Sequence, residues 1–434
     1  MCSIAGSVDE LEVWRMLDVM GHRSPDGMNV SKGDFCIGMG RLAIIDPENQ
    51  DFPFEHEGYA LAFNGEIYNY LELRKEMEEL GVIFRTNTDT EVLLRAYLYW
   101  GNECLNHFNG MFAFGIRNPN GDIFLARDLA GEKPLYYATE PFRFASEAKA
   151  LNYDCQELPR GHLLYARDRE LYVSKWFTPR KIEVPHNFDT AVSVLGMLLE
   201  DAVKIRTRSD VPYGIYLSDG IDSNLIYSYQ DFDHVFTYRD GDYKQEFLAT
   251  LPKIVHHLDY PVKSFSAYGL WKLAQNAHEA GVKVVLSGEG ADELFGGYVR
   301  YVGNEFNRKA HGRFPSYEGL FPHRDMMMEE FDGNMQELLR MGDRMASAWG
   351  VENRCPFLDR RIIEFAWSLP MKWKIDGYET KIILQELLRR RNPTYNFKEK
   401  HGLYVSCNRW LGAADDFDKT VYLEAQNKIW KTFL

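Results

Sequence analysis

The sequence lacks both a long apolar run and an excess of basic charge. No stretch reaches the ~18 consecutive apolar residues of a membrane span, and the first residues lack the basic and apolar regions of a signal peptide. Asp and Glu outnumber Lys and Arg by 64 to 50, which leaves a formal charge of −14 over 434 residues. Such a chain disfavours nonspecific binding to nucleic acid or to an acidic membrane. We therefore expect a cytoplasmic protein that binds neither.

Cysteine is also scarce, and its spacing argues against two kinds of stabilisation. The six cysteines are scattered, with no CxxC pair and no clustered histidines that would complete a zinc site. Disulfides and a structural metal are therefore not expected, and five of the six are interpreted as ordinary buried thiols. Cys2 differs because it follows the initiator Met1.

What is present is a globular composition in two unlike halves. Hydrophobic residues make up 45% of the chain and aromatic residues 14%, so the chain is expected to fold, and its length favours two or three domains. The first half alternates short strand patterns with turn signals and contains helical patterns at 71–80 and 89–100. This combination predicts an α+β domain dominated by antiparallel strands.

The pattern changes after a polar, proline-containing stretch at 179–188, which is typical of a linker. Buried-type strands at 211–217 and 282–286 then alternate with loops and helices, and a terminal helix is expected within 417–434. This order predicts an α/β domain with a parallel sheet, whose ligands lie outside the carboxyl ends of the strands. We place the two domains at 1–180 and 190–434.

The second residue is the first candidate for catalysis. Its small side chain favours removal of Met1, which would leave a thiol and a free α-amine on Cys2. That amine has a reference pKa of about 7.7–8.0, so at neutral pH it can accept the thiol proton. Downstream, the Asn64 amide and the Gly65 backbone N–H are candidates to stabilise a developing oxyanion. Asn-Gly is also an excellent hairpin turn, which is the alternative interpretation.

Three charged residues match the two ends of an amino acid. Arg41 can pair bidentately with a carboxylate, while Glu66 and Asp89 can accept hydrogen bonds from an α-ammonium group. Each can also have an ordinary structural role, such as a surface cation for Arg41 and a helix N-cap for Asp89. Together with the N-terminal thiol, they suggest glutamine as a substrate.

The ordered motifs of residues 2–147 closely resemble the class II glutamine amidotransferase domain, an N-terminal-nucleophile fold built as an αββα sandwich. They are CSIAG at 2–6, HRSPD at 22–26, RLAIID at 41–46, NGEIYN at 64–69, DTE at 89–91, GMFAF at 110–114, ARD at 126–128, KPLYY at 133–137 and ASE at 145–147. The resemblance implies that Cys2 attacks the side-chain amide of glutamine and that Asn64 and Gly65 form the oxyanion hole. The groups that would hold the amino-acid end are Arg41, Glu66 and Asp89.

The second half contains a loop that suits an anion. Residues 217–224, LSDGIDSN, lie between a predicted strand and a predicted helix, so backbone N–H groups and the helix N-terminus can hold phosphate. Ser218 and Ser223 add hydroxyl donors, and Asp222 is placed to ligate a magnesium ion that bridges phosphates. A capped turn without a ligand is the alternative interpretation.

A further motif, SGEGADELFGGY at 287–298, places three carboxylates just beyond a strand end. The glycines among them permit close approach of a ligand. Glu289, Asp292 and Glu293 would repel one another unless a cation or a shared proton relieved the repulsion. A magnesium ion would serve this purpose.

With NRCPFLD at 353–359 and KEKHG at 398–402, this motif is similar to the ATP-pyrophosphatase domain of glutamine-hydrolysing asparagine synthetases. The resemblance implies that ATP adenylates the side-chain carboxylate of aspartate and that ammonia from glutamine then displaces AMP. Asp222 and Asp292 would hold Mg²⁺. Glu289 would act as the base towards ammonia, and Lys400 would steady phosphate charge. The nucleotide-binding residues would be Leu217, Ser218, Gly220, Asp222, Ser223, Ser287 and Gly288.

Four positions depart from the two families or match them loosely. Ser24 stands where the amidotransferases have glycine, which bears on the conformation of that loop. Asp219 replaces the first glycine of the pyrophosphate loop, and Tyr260 stands where a glutamate is usual, near the expected acceptor and adenine. Lys381 matches a family lysine but is equally compatible with a solvated helix face.

These departures leave alternatives open. The acceptor is either aspartate or another carboxylate, such as one on a sugar, a nucleobase or a peptide. In a different class, the protein is a glutaminase or glutamine sensor whose second domain binds nucleotide without turnover, because Asp219 would repel pyrophosphate. The β-lactam-forming synthetases share both domains but lack the nucleophilic cysteine. Small molecules are the expected partners, and a homodimer is left open.

Overall fold

A computed structural model describes residues 1–168, 170–262, 264–298, 301, 324–376, 379–397, 403, 405–413 and 419–434. Its first half, residues 1–180, is built on two antiparallel sheets. The strands are β1 (Ser3–Ser7), β2 (Met28–Ser31), β3 (Cys36–Gly40), β4 (Phe54–His56), β5 (Tyr59–Ile67), β6 (Gly110–Arg117), β7 (Ile123–Arg127), β8 (Tyr136–Thr139), β9 (Phe142–Ala145), β10 (Gln156–Glu157), β11 (His162–Arg167) and β12 (Glu170–Lys175). They pair in the orders β10-β8-β9-β1-β3-β2 and β12-β11-β7-β6-β5-β4.

The two sheets are stacked, and helices cover their outer faces. The helices of this half are α1 (Glu10–Val19), α2 (Tyr70–Glu79), α3 (Asp89–Trp100) and α4 (Cys104–His107). Val13 of α1 packs on the first sheet, and Leu93 of α3 packs on the second. Ile4 and Leu125 lie in the core between the sheets. This order of helix, sheet, sheet and helix confirms the predicted αββα sandwich.

Strand β5 runs straight through the Asn-Gly pair, so the hairpin interpretation of this pair is wrong. Its pairing with β6 extends from Ala60 opposite Arg117 to Ile67 opposite Gly110. Ala62 belongs to the core between the sheets, whereas Phe63 packs under the helices. Because side chains alternate along a strand, Asn64 shares the inner face with Ala62.

The second half, residues 188–434, mixes helices with short strands. Its described elements are α5 (Phe188–Arg206), β13 (Tyr213–Tyr216), α6 (Ile221–Tyr227), β14 (His234–Phe236), α7 (Lys244–Leu258), α8 (Ser266–Glu279), β15 (Val284–Leu286), α9 (Ala291–Phe295), α10 (Arg324–Asp332), α11 (Asn334–Ser347), β16 (Glu352–Arg354), α12 (Arg360–Ser368), β17 (Ile375–Asp376), β18 (Glu379–Thr380), α13 (Ile382–Arg391), α14 (Cys407–Trp410) and α15 (Lys419–Trp430). The predicted strands and the terminal helix are among them.

Four of these strands form a parallel sheet in the order β14-β13-β15-β16, as the α/β prediction requires. Ile215 and Leu286 face a core shared with α5, and Tyr216 and Val285 face the opposite side with α8. Both faces of β13 and β15 are therefore covered, which explains why these two strands are apolar throughout rather than alternating.

The order of the strands determines where a ligand can bind. The chain passes from β13 to β14 on one side and then crosses to β15 on the other side. In open α/β sheets, ligands bind beyond the carboxyl ends of the strands at such a switch point. The segments that follow β13 and β15 begin at Leu217 and Ser287, which are the two predicted nucleotide motifs.

The two halves are joined by a buried network of charges. Arg23 places Nη1 2.9 Å from Glu147 and 2.8 Å from Asp343. Arg344 lies 3.2 Å from the same glutamate and 3.1 Å from the same aspartate. Although burial opposes ionisation, Arg344 keeps the pKa of Glu147 well below its usual value, and Arg23 does the same to a smaller degree for Asp343. These pairs therefore remain charged at neutral pH.

Two more residues balance the network. Lys149 Nζ lies 2.7 Å from Glu147 and 3.4 Å from Asp259, and Asp259 lies 2.8 Å from Arg344. All of these groups are buried, and each half of the chain contributes both signs of charge. Removing one partner of such a fully buried ion pair lowers the free energy of unfolding by several kcal/mol, because the other charge stays buried without a partner.

Within the described parts of the chain, no helix combines the length and apolarity needed to cross a membrane.

The network predicts a pH-dependent stability. Glu147→Gln should lower the free energy of unfolding by about 3–5 kcal/mol at pH 7, measured by urea denaturation, because two guanidinium groups lose a carboxylate. The folded pKa of Glu147 is lowered, so its contribution is present above the unfolded pKa of about 4.5 and is lost as the pH falls towards the folded value. The difference between wild type and variant should therefore shrink below pH 4.5. The exposed Glu78→Gln is the control, and an equal loss in both variants would contradict the assignment.

Candidate active sites

The Cys2 thiol lies at the start of β1, beside the chain at Leu42. Its Sγ accepts from the Leu42 N–H at 3.5 Å and donates to the Leu42 carbonyl at 3.9 Å. Arg23 Nε donates to the Cys2 carbonyl at 3.0 Å, so the charged network also holds this residue. Burial raises the pKa of the Cys2 thiol, which therefore needs a base to become a nucleophile.

Met1 precedes this thiol and is fully buried between the two halves. Its side chain packs with Tyr216 and Val285 of the second half, and its Sδ lies 3.0 Å from Lys133 Nζ. Burial lowers the pKa of its α-amine to about 5. While Met1 is attached, the nitrogen of Cys2 is an amide, so the predicted base exists only after Met1 is removed.

Ser24 fits its loop despite replacing a glycine. Its hydroxyl forms a 2.7 Å hydrogen bond with the Ser3 hydroxyl on β1. A Cβ at Gly40 would lie 2.0 Å from Ser24 Oγ, so the glycine on β3 makes room for the serine. The departure is therefore accommodated by packing within the first half.

The predicted oxyanion-hole residues, Asn64 and Gly65, are a buried amide without a partner and a sterically constrained glycine. Asn64 is fully buried, and neither its amide oxygen nor its nitrogen has a partner among the described residues. Gly65 has φ +146°, and a Cβ there would lie 2.0 Å from the Met111 carbonyl oxygen. Cys2 packs against the same core between the sheets as Ala62, whose face Asn64 shares. A buried amide without a partner is costly, which makes it a candidate ligand-binding group.

The expected acceptors for an α-ammonium group lie together. Burial, reinforced by Asp89, raises the pKa of Glu66 well above its usual value, and burial raises the pKa of Asp89 to about 6. Asp89 accepts from the Ile67 N–H at 3.0 Å. Glu66 pairs at 2.8 Å with Arg354 from the second half. Arg354 belongs to the quoted motif at 353–359, but the sequence assigned it no role, because nothing local indicated its partner.

Arg41 is less available than its predicted role requires. Its guanidinium donates to the carbonyl oxygens of Ile45 at 3.0 Å and Asp46 at 2.7 Å, and it also reaches the carbonyls of Pro47 and Asn49. It therefore holds the loop at 45–49 closed. A substrate carboxylate would have to replace some of these carbonyls to reach the guanidinium.

The predicted pyrophosphate loop is internally organised by its serines. The Ser218 N–H donates to Ser223 Oγ at 3.1 Å, and the Gly220 N–H donates to Ser218 Oγ at 3.2 Å. Asn224 Nδ2 donates to the Ser218 and Gly220 carbonyls at 2.8 and 2.7 Å. The side chain of Asp219 is exposed, and Tyr395 donates to the Asp219 carbonyl at 2.6 Å.

Lys381 joins the two predicted magnesium ligands. Its Nζ lies 2.6 Å from both carboxylate oxygens of Asp222 and 2.7 Å from Asp292 Oδ1. Lys381 is only 3% exposed, so the solvated-helix interpretation is wrong. Although burial opposes its charge, the two aspartates raise the pKa of Lys381. Gly288 contacts this centre, because a Cβ there would lie 2.7 Å from Asp222 Cβ.

The repulsion among the carboxylates of the 287–298 motif is relieved in the two ways that the sequence suggested, by a cation and by protonation. The cation on Asp292 is Lys381. Burial raises the pKa of Glu289 to about 7, and burial with the adjacent Asp292 raises that of Glu293 to about 7, so both carry protons over part of the neutral range. Glu289 Oε2 accepts from Asn353 Nδ2 at 2.9 Å. Lys400, the predicted phosphate-binding lysine, lies outside the described residues.

The two aspartates also fit a divalent cation. Their carboxylates converge on one point, where both pair with the same cation, the Lys381 ammonium. Magnesium is commonly held by one or two carboxylates together with substrate phosphates, so two are sufficient. Among the described residues, no group of three His, Cys, Asp or Glu side chains could hold a metal.

Tyr260 lies at the interface of the two halves rather than at the nucleotide loops. Its ring packs at 5.7 Å from Tyr153 and at 5.9 Å from Trp430, and the Arg340 guanidinium lies over it. The expectation that this position borders the acceptor and adenine is therefore not supported by its contacts. Nothing in the sequence near Tyr260 indicated the interface.

Comparisons with known proteins agree with the two-part organisation. A glutamine amidotransferase domain model matches residues 1–171, and an asparagine synthase model matches 195–235, 243–331 and 319–415. Asparagine synthetase [glutamine-hydrolyzing] 1 of Bacillus subtilis is 30% identical, with 94% of this chain and 86% of the relative covered. Asparagine synthetase [glutamine-hydrolyzing] 3 of Arabidopsis thaliana is also 30% identical, with 93% and 77% covered.

A solved structure, the glutamine phosphoribosylpyrophosphate amidotransferase of B. subtilis, aligns with 66% of this chain and 81% of its own. The sequence identity is 17% and the TM-score is 0.36, and we infer nothing from this likeness.

Gly65→Ala tests the backbone geometry at the oxyanion position. We expect the free energy of unfolding to fall by about 3 kcal/mol or more and glutamine hydrolysis to be lost, because the Cβ would displace β6. Gly121→Ala is the matched control: its φ is also positive, at +89°, but no heavy atom lies within 4 Å of its Cβ position. For the control, urea denaturation should show a fall in the free energy of unfolding of only about 1 kcal/mol. Equal losses would mean that the contact with β6 is unimportant.

Proposed function

We propose a two-site mechanism for this chain, which belongs to the glutamine-hydrolysing asparagine synthetase family. It is an ATP-dependent ligase that takes nitrogen from glutamine and amidates aspartate through a β-aspartyl-AMP intermediate. We assign the glutaminase to residues 1–180 and the synthetase to residues 190–434. Mg²⁺ and a cytoplasmic setting are parts of this proposal, and a homodimer is left to measurement by light scattering.

In the glutaminase site, Cys2 is the nucleophile once Met1 is removed. Its free amine takes the thiol proton, and the thiolate attacks the amide carbon of glutamine. The oxyanion that forms is held by the Asn64 amide and the Gly65 N–H. The amide nitrogen leaves as ammonia with the transferred proton, and water then hydrolyses the thioester to glutamate. The buried, unpartnered Asn64 amide is the observation that carries this assignment.

In the synthetase site, the carboxylate of aspartate attacks the α-phosphate of ATP, and pyrophosphate leaves. Ser218 and Ser223 hold the pyrophosphate, and Lys381 offsets its charge. Asp222 and Asp292 would hold Mg²⁺, which supplies further neutralisation of phosphate charge. Ammonia then attacks the acyl-adenylate, and AMP leaves.

Glu289 is the base in this second step. An attacking ammonia carries a surplus proton once its C–N bond forms, and a carboxylate must accept that proton. The pKa of Glu289, raised by burial to about 7, suits a group that is ionised before the attack and protonated after it. Lys400 remains assigned to phosphate charge by resemblance.

The acceptor is the part of the proposal most open to direct testing. Pyrophosphate release should be screened across carboxylic acids with ATP and Mg²⁺, and we expect release with aspartate. Release only with a sugar, nucleobase or peptide carboxylate would support the alternative acceptors. Failure to form AMP with any acid would support a glutaminase that binds nucleotide without turnover.

Cys2→Ala separates the two sites. We expect glutamine-dependent synthesis to be abolished and ammonia-dependent synthesis to be retained, because only the first site uses the thiol. AMP formation with each nitrogen source measures this. Cys155→Ala, which removes another half-buried thiol, is the control. Loss of both activities in Cys2→Ala would contradict the division into two sites. Mass spectrometry showing Met1 retained in enzyme that hydrolyses glutamine would contradict the role of the Cys2 amine as the base.

Lys381→Met tests the charge centre of the synthetase site. Without the ammonium, Asp222 and Asp292 repel each other and the phosphates lose a cation, so AMP formation should fall by about a hundredfold or more. Lys372→Met, at an exposed lysine, is the control and should retain normal AMP formation. Glutamine hydrolysis reports folding in both variants. AMP formation near the wild-type rate in Lys381→Met would show that Lys381 is only structural.

A further inference from the structure

Residues 41–46, the segment after β3, bring the main chain against the Cys2 thiol. Leu42 contacts the sulfur through both its N–H and its carbonyl, and Arg41 is the predicted ligand of the substrate carboxylate. The segment lies outside the strands and helices of the first half. Backbone of this kind lacks the repeated hydrogen bonds of a ladder, so its conformation depends on individual contacts. Those contacts therefore bear on the glutaminase site.

Lys283 of the second half fixes the middle of this segment through Asp26. Asp26 Oδ2 accepts from the Ala43 N–H at 2.7 Å, and the Asp26 N–H donates to the Arg41 carbonyl at 3.1 Å. Lys283 Nζ donates to the two carboxylate oxygens of Asp26 at 3.0 and 2.8 Å, and it lies 3.4 Å from the Ala43 carbonyl. One ammonium group thus holds the residue that binds the chain on both sides of Leu42.

Asp210, also from the second half, holds the end of the same segment. Its Oδ2 accepts from the Asp46 N–H at 2.7 Å, and its own N–H donates to the Ile44 carbonyl at 3.2 Å. Asp46 has φ +49°, in the left-handed region that is unfavourable for residues other than glycine. Such a conformation persists only where neighbouring contacts hold it, and the Asp210 carboxylate is one of these contacts.

The two residues come from one edge of the parallel sheet. Lys283 directly precedes β15, and Asp210 lies three residues before β13. Since these two strands are parallel neighbours, their amino ends meet at the same edge. The predicted nucleotide loops follow the opposite, carboxyl ends. The sheet therefore contacts the 41–46 segment at one edge and carries the nucleotide loops at the other.

We propose that Lys283 and Asp210 are positioning residues for glutamine hydrolysis, supplied to the glutaminase site by the second half of the chain. This inference rests on the proposed function. Both residues act through the 41–46 segment, which places the Leu42 N–H at the thiol and carries the Arg41 guanidinium. The first half thus depends on the second for the geometry of its own site.

The exposure of the Lys283–Asp26 pair distinguishes positioning from folding. The two side chains are 32% and 29% exposed, and ion pairs that reach solvent in this way add little to stability. Loss of the pair should therefore leave the protein folded while it releases Ala43 and its neighbours. A displacement of about 1 Å at a reacting group can lower the rate by about a hundredfold.

Lys283→Met tests the first contact. We expect kcat/KM for glutamine hydrolysis to fall by about tenfold or more, because the 41–46 segment is no longer held in place. Ammonia-dependent AMP formation, which does not use the Cys2 thiol, should stay close to that of the wild type. Lys283→Arg keeps a cation beside Asp26 and should restore most of the lost glutamine hydrolysis. Failure of arginine to restore any activity would contradict the role of the charge.

Lys272→Met is the matched control. Lys272 also forms an ion pair, at 2.7 Å from Glu246, but both partners belong to the second half. This variant should hydrolyse glutamine normally. Equal losses in Lys272→Met and Lys283→Met would overturn the inference, as would a loss of ammonia-dependent AMP formation in step with glutamine hydrolysis.

A double variant tests whether Lys283 acts through Asp26. In an Asp26→Ala background, Lys283→Met should cause no further loss of glutamine hydrolysis, because the ammonium group has already lost its partner. The same factor of loss in both backgrounds would show that Lys283 does not act through this carboxylate.

Asp210→Asn and Asp210→Ala test the second contact. Asparagine keeps an oxygen that can accept from the Asp46 N–H, so this variant should retain glutamine hydrolysis. Alanine removes the acceptor and should lower kcat/KM by about tenfold. Equal activities in the two variants would refute the role of Asp210.

The ionisation of Cys2 provides a measurement that needs no turnover. The Leu42 N–H donates to Sγ and so lowers the pKa of the thiol, against the effect of burial. Alkylation of Cys2 by iodoacetamide, followed by mass spectrometry as a function of pH, should therefore shift to higher pH in Lys283→Met. An unchanged profile would contradict positioning at the thiol. Absence of glutamine hydrolysis in the wild type would refute the proposed function, while the alkylation profiles would still test the segment.

Discussion

The burial of charge between the two halves is the constraint on which the rest of the structure depends. An isolated ion in this interior would be costly, so each charge there needs a partner of opposite sign. Arg23 meets this need with Glu147 and Asp343, and the same guanidinium binds the Cys2 carbonyl. The contact that joins the halves therefore also positions the start of β1. The orientation of the second half and the location of the nucleophile are coupled through one side chain.

The same logic operates at the nucleotide loops. Parallel strands bring the segments after β13 and β15 to one edge, which crowds Asp222 and Asp292 together, and Lys381 supplies the counter-charge. The segment at 352–355 then connects this edge to the first half. Arg354 binds Glu66, while Cys355 contacts Glu289. Strand β16 is polar, unlike most strands of a parallel sheet, because its side chains contact polar groups in both halves, as Arg354 contacts Glu66 and Asn353 contacts Glu289.

Local patterns predicted several of the elements. The helix predicted at 89–100 begins and ends at those residues, and the predicted parallel sheet is present. Such signals are carried by neighbouring residues, so a single chain reveals them. The Asn64-Gly65 pair misled for the same reason: its composition is typical of a hairpin, but pairing with β6 extends the strand through it. Tertiary pairing outweighed a local preference, as it commonly does in sheets.

By itself, the sequence determined the two-half organisation, the antiparallel strands of the first half, the parallel sheet of the second, and the residue types of both candidate sites, because composition and spacing are local properties. The αββα sandwich was implied by the resemblance of the ordered motifs to a known family. Only the tertiary structure decided which charges meet. The position of Lys381 between two aspartates and the pairing of Arg354 with Glu66 both depend on contacts between segments far apart in sequence. Ionisation depends on burial and on neighbours in space, and no spacing along the chain specifies either.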